Sequence, residues 1–191
     1  MSEINRETTA VPNNPFAVVA RQVTMSGHAF DVQKVRFRLP DGREREYDLV
    51  DHVDAVTILP VDEAGNIWFV TQYRIGAMGK MLELPAGVMD EGETPLESAH
   101  RELREEIGMD CREMKHLGGF WMAAGYSNEF MNCFLARGLI EAPLEQDEDE
   151  FLSLSKMPIE QAYQMAAEGG IVDGKTLSTL LLARQYLLAG N

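Results

Sequence analysis

Three glutamates, Glu102, Glu105 and Glu106, fall within five residues of a stretch whose apolar spacing is helical. At about 100° per residue they share one arc of roughly 100°. Carboxylates at i,i+3 and i,i+4 repel each other and destabilise an isolated helix. Such crowding has two readings. It is a solvated face on an acidic protein, or a site for a hard divalent cation, which takes a few carboxylates together with waters and substrate phosphates. Arg101 can relieve part of the repulsion, with Glu97 and Glu105 four residues to either side. A later acidic run, Gln146-Asp147-Glu148-Asp149-Glu150, is either a mobile solvated loop or a second source of carboxylates.

The elements that must position these residues are marked in the sequence. Thr94-Pro95-Leu96-Glu97 combines an N-cap threonine, a proline at the first helical position and a glutamate three residues after the cap. Gly108 supplies the stop, so a helix is predicted over 94–108 with Leu96, Ala99, Leu103 and Ile107 as its apolar stripe. Before it, strands are predicted at 16–25, 28–38, 44–51, 53–60 and 67–74, punctuated by turns at Asp41-Gly42 and Ala64-Gly65-Asn66. A short strand from Met81 to Leu84 runs into Pro85-Ala86-Gly87. Strand-like sequence returns at 116–123 and 129–136, and helical patterns close the chain at about 158–168 and 175–188. Strands and helices in this non-repeating order argue for one mixed α/β domain.

Composition narrows the function classes. The chain has 191 residues, with 17 Lys and Arg against 31 Asp and Glu, a formal net charge of −14. So acidic a protein is a poor non-specific nucleic-acid binder, and an anionic substrate would need a cation to hold it. No window approaches the ~18 apolar residues of a membrane span. The N-terminal residues carry no secretory pattern, so a cytoplasmic protein is expected. Cys111 and Cys133 lack metal-ligand spacing and read as reduced packing residues, and His28, His52, His100 and His116 show none either. Trp68, Trp121 and most of the eleven methionines read as core. Residues 169–176, GGIVDGKT, match the phosphate-loop pattern, but the preceding residues read as helix and only fifteen follow. A helix C-cap, a turn and a last helix explain them better.

From Gly87 the chain reads GVMDEGETPLESAHRELREEIGM. Gly87, Glu93, Arg101-Glu102, Glu105-Glu106 and Gly108, with apolar Leu103 and Met109, resemble the signature of the Nudix hydrolase family at every defined position. Seven fixed residue types, each near ~1 in 10, give a chance match in this chain of roughly 10⁻⁵. The resemblance implies an α/β fold, a mixed β-sheet in an α/β/α sandwich, with the signature as a loop–helix–loop. It also implies Mg²⁺- or Mn²⁺-dependent hydrolysis of a nucleoside diphosphate linked to another group. Carried over residue by residue, Glu102, Glu105, Glu106 and the carbonyl of Ala86 are metal-ligand candidates, and Arg101 orients the carboxylates.

The flanking segments Gln72-Tyr73-Arg74, Glu83-Leu84-Pro85-Ala86-Gly87, Gly125-Tyr126-Ser127-Asn128-Glu129 and residues 170–176 resemble the ADP-ribose pyrophosphatase branch. That branch cuts ADP-ribose to AMP and ribose 5-phosphate and often acts as a homodimer whose N-terminal strands help build the nucleotide pocket. The implied organisation is a flexible 1–15, an antiparallel β-arm at 16–52 and a hydrolase domain at 53–191. The same resemblance suggests Glu148 as general base and Glu150 as an additional ligand. Arg74 either grips a phosphate or is a strand-end surface residue. Glu83 either meets the base or terminal ribose or forms a structural salt bridge. Ser127 and Glu129 are further candidate substrate contacts. One departure is Ala123-Ala124, where the family usually has Ser-Pro, a loss expected to loosen the loop. Two alternatives stay open: GDP-mannose or another nucleotide sugar as substrate, and a module that binds ADP-ribose without cutting it.

Overall fold

The computed structural model describes residues 15–145 and 151–188. Two compact units emerge, one comprising the chain up to Val53 with Trp121–Phe130, the other Asp54–Phe120 with the chain from Met131 onward. In the first unit, β1 (Ala17–Ser26), β2 (Asp31–Arg38) and β3 (Glu44–Asp51) form an antiparallel sheet in that order. The β2–β3 turn forms where expected: Gly42 takes a left-handed φ of 83°, and Asp41 accepts from the Arg43 backbone N–H at 3.0 Å. Val18, Val23 and Met25 of β1 are all about half exposed. The segment 121–130 joins β3 through Val50, whose N–H donates to the Tyr126 carbonyl at 2.7 Å.

The second unit is a mixed seven-stranded sheet. Its strands are β4 (Ala55–Val61), β5 (Asn66–Arg74), β6 (Gly79–Glu83), β7 (Ala86–Val88), β8 (Met109–Trp121), β9 (Phe130–Glu141) and β10 (Ser153–Pro158). The main order is β10-β5-β4-β9-β8, with β6 on β5 and β7 on β4. The β4–β9 pair is parallel, while β10–β5, β4–β5, β4–β7 and β5–β6 are antiparallel. Helices are α1 (Pro95–Ile107), α2 (Ile159–Ala167) and α3 (Gly174–Leu187). No helix among the described residues is long and apolar enough to cross a membrane.

The alternation of β-strand side chains sorts the core into two layers. Leu59, Val61, Ile67, Phe69 and Leu135 pack with Ala162 of α2 and Leu180 and Ala183 of α3. Val56, Ile58, Val70, Phe134 and Ala136 face the other way, onto Ala99, Leu103 and Ile107 of α1. This is the expected sandwich. Burying Leu103 and Ile107 contributes roughly 3–6 kcal/mol, against about 1 kcal/mol of repulsion among the glutamates on the same helix. Packing therefore wins, and the helix holds the carboxylates where they are.

Some expectations need correction. Leu96, on the first turn of α1, is 48% exposed and drops out of the apolar stripe. Trp121 is also exposed, against Phe130. Met131 is buried and Met89, Met109, Met114, Met157 and Met165 pack against the core, but Met25 and Met78 are exposed. Strands β7 and β10 were not predicted. The 169–176 segment does cap α2 and start α3, with Gly169 left-handed and Asp173 as N-cap.

Candidate active site

The site is built on α1 and on the short segment from Glu83 to Val88. Thr94 caps the helix as predicted: its hydroxyl accepts from the Glu97 N–H, and the Glu97 carboxylate accepts from the Thr94 N–H at 2.9 Å. This capping box occupies Glu97, so the pairing expected between Glu97 and Arg101 does not form. Glu93, just outside the helix, takes that place. Arg101 donates through Nε to Glu93 Oε1 at 2.9 Å and through Nη2 to Glu93 Oε2 at 3.0 Å. Its Nη1 reaches Glu102 at 2.7 Å and Glu105 at 2.8 Å, and Nη2 also donates to the Val88 carbonyl at 2.9 Å. Hydrogen bonds from Arg101 hold the Glu93 carboxyl far below its ordinary value, at about 2, while Glu93 and the other carboxylates push Arg101 up. Sequence reasoning placed Glu93 in the signature but gave it no role.

One guanidinium thus serves three carboxylates, leaving Glu93, Glu102, Glu105 and Arg101 with a combined charge of −2. Glu106 follows one turn after Glu102 and is 1% exposed, and its Oε2 accepts from the Ala86 N–H at 3.0 Å. Glu102 is 6% exposed and lies directly against Gly87. A Cβ at Gly87 would overlap both oxygens of the Glu102 carboxylate, so only glycine lets strand and carboxylate meet here. The donor set is all oxygen, excess negative and mostly withdrawn from water. Those properties suit a hard divalent cation such as Mg²⁺.

Glu83 to Val88 are pinned from both sides of the sheet. Glu83 is fully buried and receives Arg74 Nε at 2.8 Å and Nη2 at 2.7 Å. Lys175, at the start of α3, makes a short ion pair with Glu83 and lies 3.0 Å from Asp173. Burial pushes the Glu83 carboxyl up, but Arg74 and Lys175 outweigh it and hold the group below its ordinary value. Thr176 accepts from the Leu84 N–H at 2.9 Å, and the Pro85 carbonyl accepts from Ile58 at 2.9 Å. Ala86 and Val88 are held by Glu106 and Arg101 as described. Of the two readings left open for Glu83, the geometry is that of the structural salt bridge. Arg74 is 41% exposed at its side chain and keeps a face toward solvent. Lys175 lies in the 170–176 segment that resembles the branch, but the sequence alone gave it no role.

Ser127 and Glu129 belong to the first unit. Ser127 is buried and its hydroxyl accepts from the Glu129 N–H at 3.1 Å. Ala123 accepts from Tyr126 and Ser127 at 2.9 and 2.8 Å, so the turn is closed without the proline. A pocket of about 300 Å³ in this unit is lined by Phe37, Tyr47, Leu49 and Tyr126 among others. Glu148 and Glu150 lie outside the described residues. Cys111 and Cys133 are free and buried, as expected. His100, however, stands beside Asp110 and Cys111, a grouping that the sequence spacing did not disclose.

Comparison with known proteins agrees with this geometry. The family model for the NUDIX domain matches residues 51–180. The chain is 32% identical to the ADP-ribose pyrophosphatase of Bacillus subtilis (strain 168) over 171 residues, 88% of this chain and 90% of the relative. It is 34% identical to the methanol dehydrogenase activator of Bacillus methanolicus, over 85% of this chain and 86% of that one. A solved structure of an ADP compounds hydrolase superposes with a TM-score of 0.81 at 25% identity, covering 91% of this chain and 95% of its own.

Proposed function

The chain belongs to the Nudix family and is a Nudix hydrolase, and we propose that it cleaves the pyrophosphate bond of a nucleoside diphosphate sugar, ADP-ribose, to AMP and ribose 5-phosphate. The observation that carries this reading is the set of carboxylates on α1 gathered by Arg101 against the Gly87 turn. Glu102, Glu105, Glu106 and the Ala86 carbonyl would hold the divalent ion, Mg²⁺ or Mn²⁺, with Glu150 as a further ligand. Once bound, such an ion neutralises the pyrophosphate and stabilises the leaving oxygen.

The chain's own residues do the rest. Arg101 fixes the carboxylates before any substrate arrives, so little reorganisation is left for the reaction. Glu148 takes a proton from the attacking water. Arg74, steadied by Glu83, offers the free face of its planar fork to a phosphate. Ser127 and Glu129 contact the sugar end. The exposed apolar face of β1 supports a homodimer formed through the residue 16–52 arm. The domain limits that go with this reading are 16–52 for the arm and 53–191 for the hydrolase, in a cytoplasmic enzyme.

The test is turnover on ADP-ribose, GDP-mannose, UDP-glucose, NADH and diadenosine polyphosphates, each with Mg²⁺ and with chelator. Metal-dependent AMP release with ADP-ribose well ahead is expected, and Glu105→Gln loses most of it while the fold persists. A leading GDP-sugar overturns the substrate. Tight ADP-ribose binding without turnover on any compound overturns the enzyme reading in favour of a sensor.

A further inference from the structure

On the far side of α1 from the glutamates, the structure collects donor atoms of a different kind. His100 is turned at least about 120° around the helix from each of Glu102, Glu105 and Glu106. Its Nδ1 lies 2.5 Å from Asp110 Oδ1, at the start of β8. Cys111, the next residue, is 8% exposed. One nitrogen of His100, one oxygen of Asp110 and the Cys111 sulfur all lie within 4.8 Å of one another. We propose that His100, Asp110 and Cys111 form a second metal site, one that takes a thiophilic tetrahedral cation such as Zn²⁺ and is separate from the all-oxygen site on the glutamates.

The donor types decide the class of ion. Mg²⁺ and Ca²⁺ take oxygen ligands and gain little from sulfur, whereas Zn²⁺ binds imidazole, carboxylate and thiolate together. Zinc bonds of about 2.0–2.3 Å at tetrahedral angles put donor atoms roughly 3.3–3.7 Å apart, so shifts of no more than about 1.5 Å, with the His100–Asp110 pair moving apart, would form the site. Three protein ligands leave a fourth position for water. An entry path exists, because the side chains of His100 and Asp110 keep 34% and 28% of their exposure. The local chain supports the arrangement: the Asp110 carboxylate also accepts from the Cys111 N–H at 2.7 Å, which holds the carboxyl beside the sulfur. Burial and the neighbouring Asp110 push the Cys111 thiol up to about 11, so the ion must displace its proton on binding, as zinc does with a coordinating thiol. The same burial makes Cys111 a poor free nucleophile.

A bound ion would tie the middle of α1 to the first residues of β8 across the Gly108 cap. It would stiffen the helix that carries the glutamates without touching them, and the inference stands whether or not the enzyme reading holds.

The test uses Co²⁺ as a spectroscopic stand-in, added to the purified chain in excess Mg²⁺. One equivalent is expected to give a thiolate-to-cobalt charge-transfer band that Zn²⁺ abolishes by displacement. The band is expected to vanish in Cys111→Ser, to persist in Cys133→Ser and in Glu105→Gln, and to need at least about ten times more Co²⁺ in His100→Asn, the loss of one good ligand being worth at least about 1.4 kcal/mol. His100 is partly exposed, so that variant decides the matter if Cys111→Ser fails to fold. No band in the wild type, a band that survives Cys111→Ser, or a His100→Asn titration identical to wild type overturns the site and leaves His100–Asp110 a simple hydrogen bond beside a packing thiol.

Discussion

Replacing Gly87 with alanine adds one methyl group and nothing else. Gly87 is not among the left-handed residues, so alanine brings no backbone strain, and the effect is confined to what the new Cβ meets. It meets the Glu102 carboxylate, closer than the 3.0 Å that real Cβ contacts respect. The carboxylate must retreat by roughly 1 Å to reach ordinary van der Waals distance. Retreat strains its 2.7 Å bond from Arg101 and moves one proposed ligand away from Glu105 and Glu106. A misplacement of about 1 Å can cost on the order of 10²-fold in rate, or about 2.7 kcal/mol of transition-state stabilisation. The stability cost is smaller, about 1–2 kcal/mol, because Glu102 sits at the end of a flexible side chain and can rotate. At about 2–4 °C per kcal/mol for a chain of this size, the melting midpoint falls by roughly 2–8 °C.

The assay is kcat/KM for ADP-ribose as a function of Mg²⁺, alongside a thermal melt of the same preparation. A folded Gly87→Ala protein with about 10²-fold lower kcat/KM and a raised Mg²⁺ requirement is the expected result. If the variant turns over within about threefold of wild type, with the same Mg²⁺ dependence, then the Glu102 position is not what the glycine protects.

Two further perturbations probe what surrounds the site. Lys175→Met leaves buried Glu83 with Arg74 alone and takes a partner from Asp173, so stability falls by about 2–3 kcal/mol, less than the roughly 3–5 kcal/mol of a fully broken buried pair. The melting midpoint then drops by about 4–12 °C, and KM for ADP-ribose rises more than kcat falls, because Arg74 is drawn onto Glu83; unchanged melting would refute the shared ion pair. Glu93 has a carboxyl lowered from 4.5 to about 2, so its contribution is full above pH 4.5 and is lost as pH falls toward 2. Melting midpoints of wild type and Glu93→Gln, taken with chelator, should therefore differ at pH 7 and converge on acidification; a constant gap would refute the assignment.

The sequence made the helix and its chemistry legible because the signals there are local. Thr94, Pro95, Glu97 and Gly108 act within one turn of their own positions, and the observed α1 ends where they say. What was not legible depended on competition or on distance. Glu97 could serve the cap or Arg101, and the cap is the nearer partner, so Glu93 received the guanidinium. Strand β7 (Ala86–Val88) overlaps Pro85-Ala86-Gly87, a sequence that reads as a turn until β4 supplies a partner strand for it. His100 and Cys111 are eleven residues apart, and only the reversal after Gly108 brings them together.

The role of the last helix shows how far such non-local effects reach into the chemistry. A phosphate-loop match at 169–176 is without that function here, yet two of its residues are structurally committed. Lys175 and Thr176 hold Glu83 and Leu84 from one face of the sheet, while Glu106 and Arg101 hold Ala86 and Val88 from the other. The six residues Glu83 to Val88 that the clamps hold include Gly87, whose missing side chain makes room for Glu102. A ligand set that tolerates errors of only a few tenths of an ångström needs its turn fixed at both ends. The C-terminal helix, some ninety residues after that turn, supplies one of those ends, so truncation at α3 removes part of the site's support as well as part of the core.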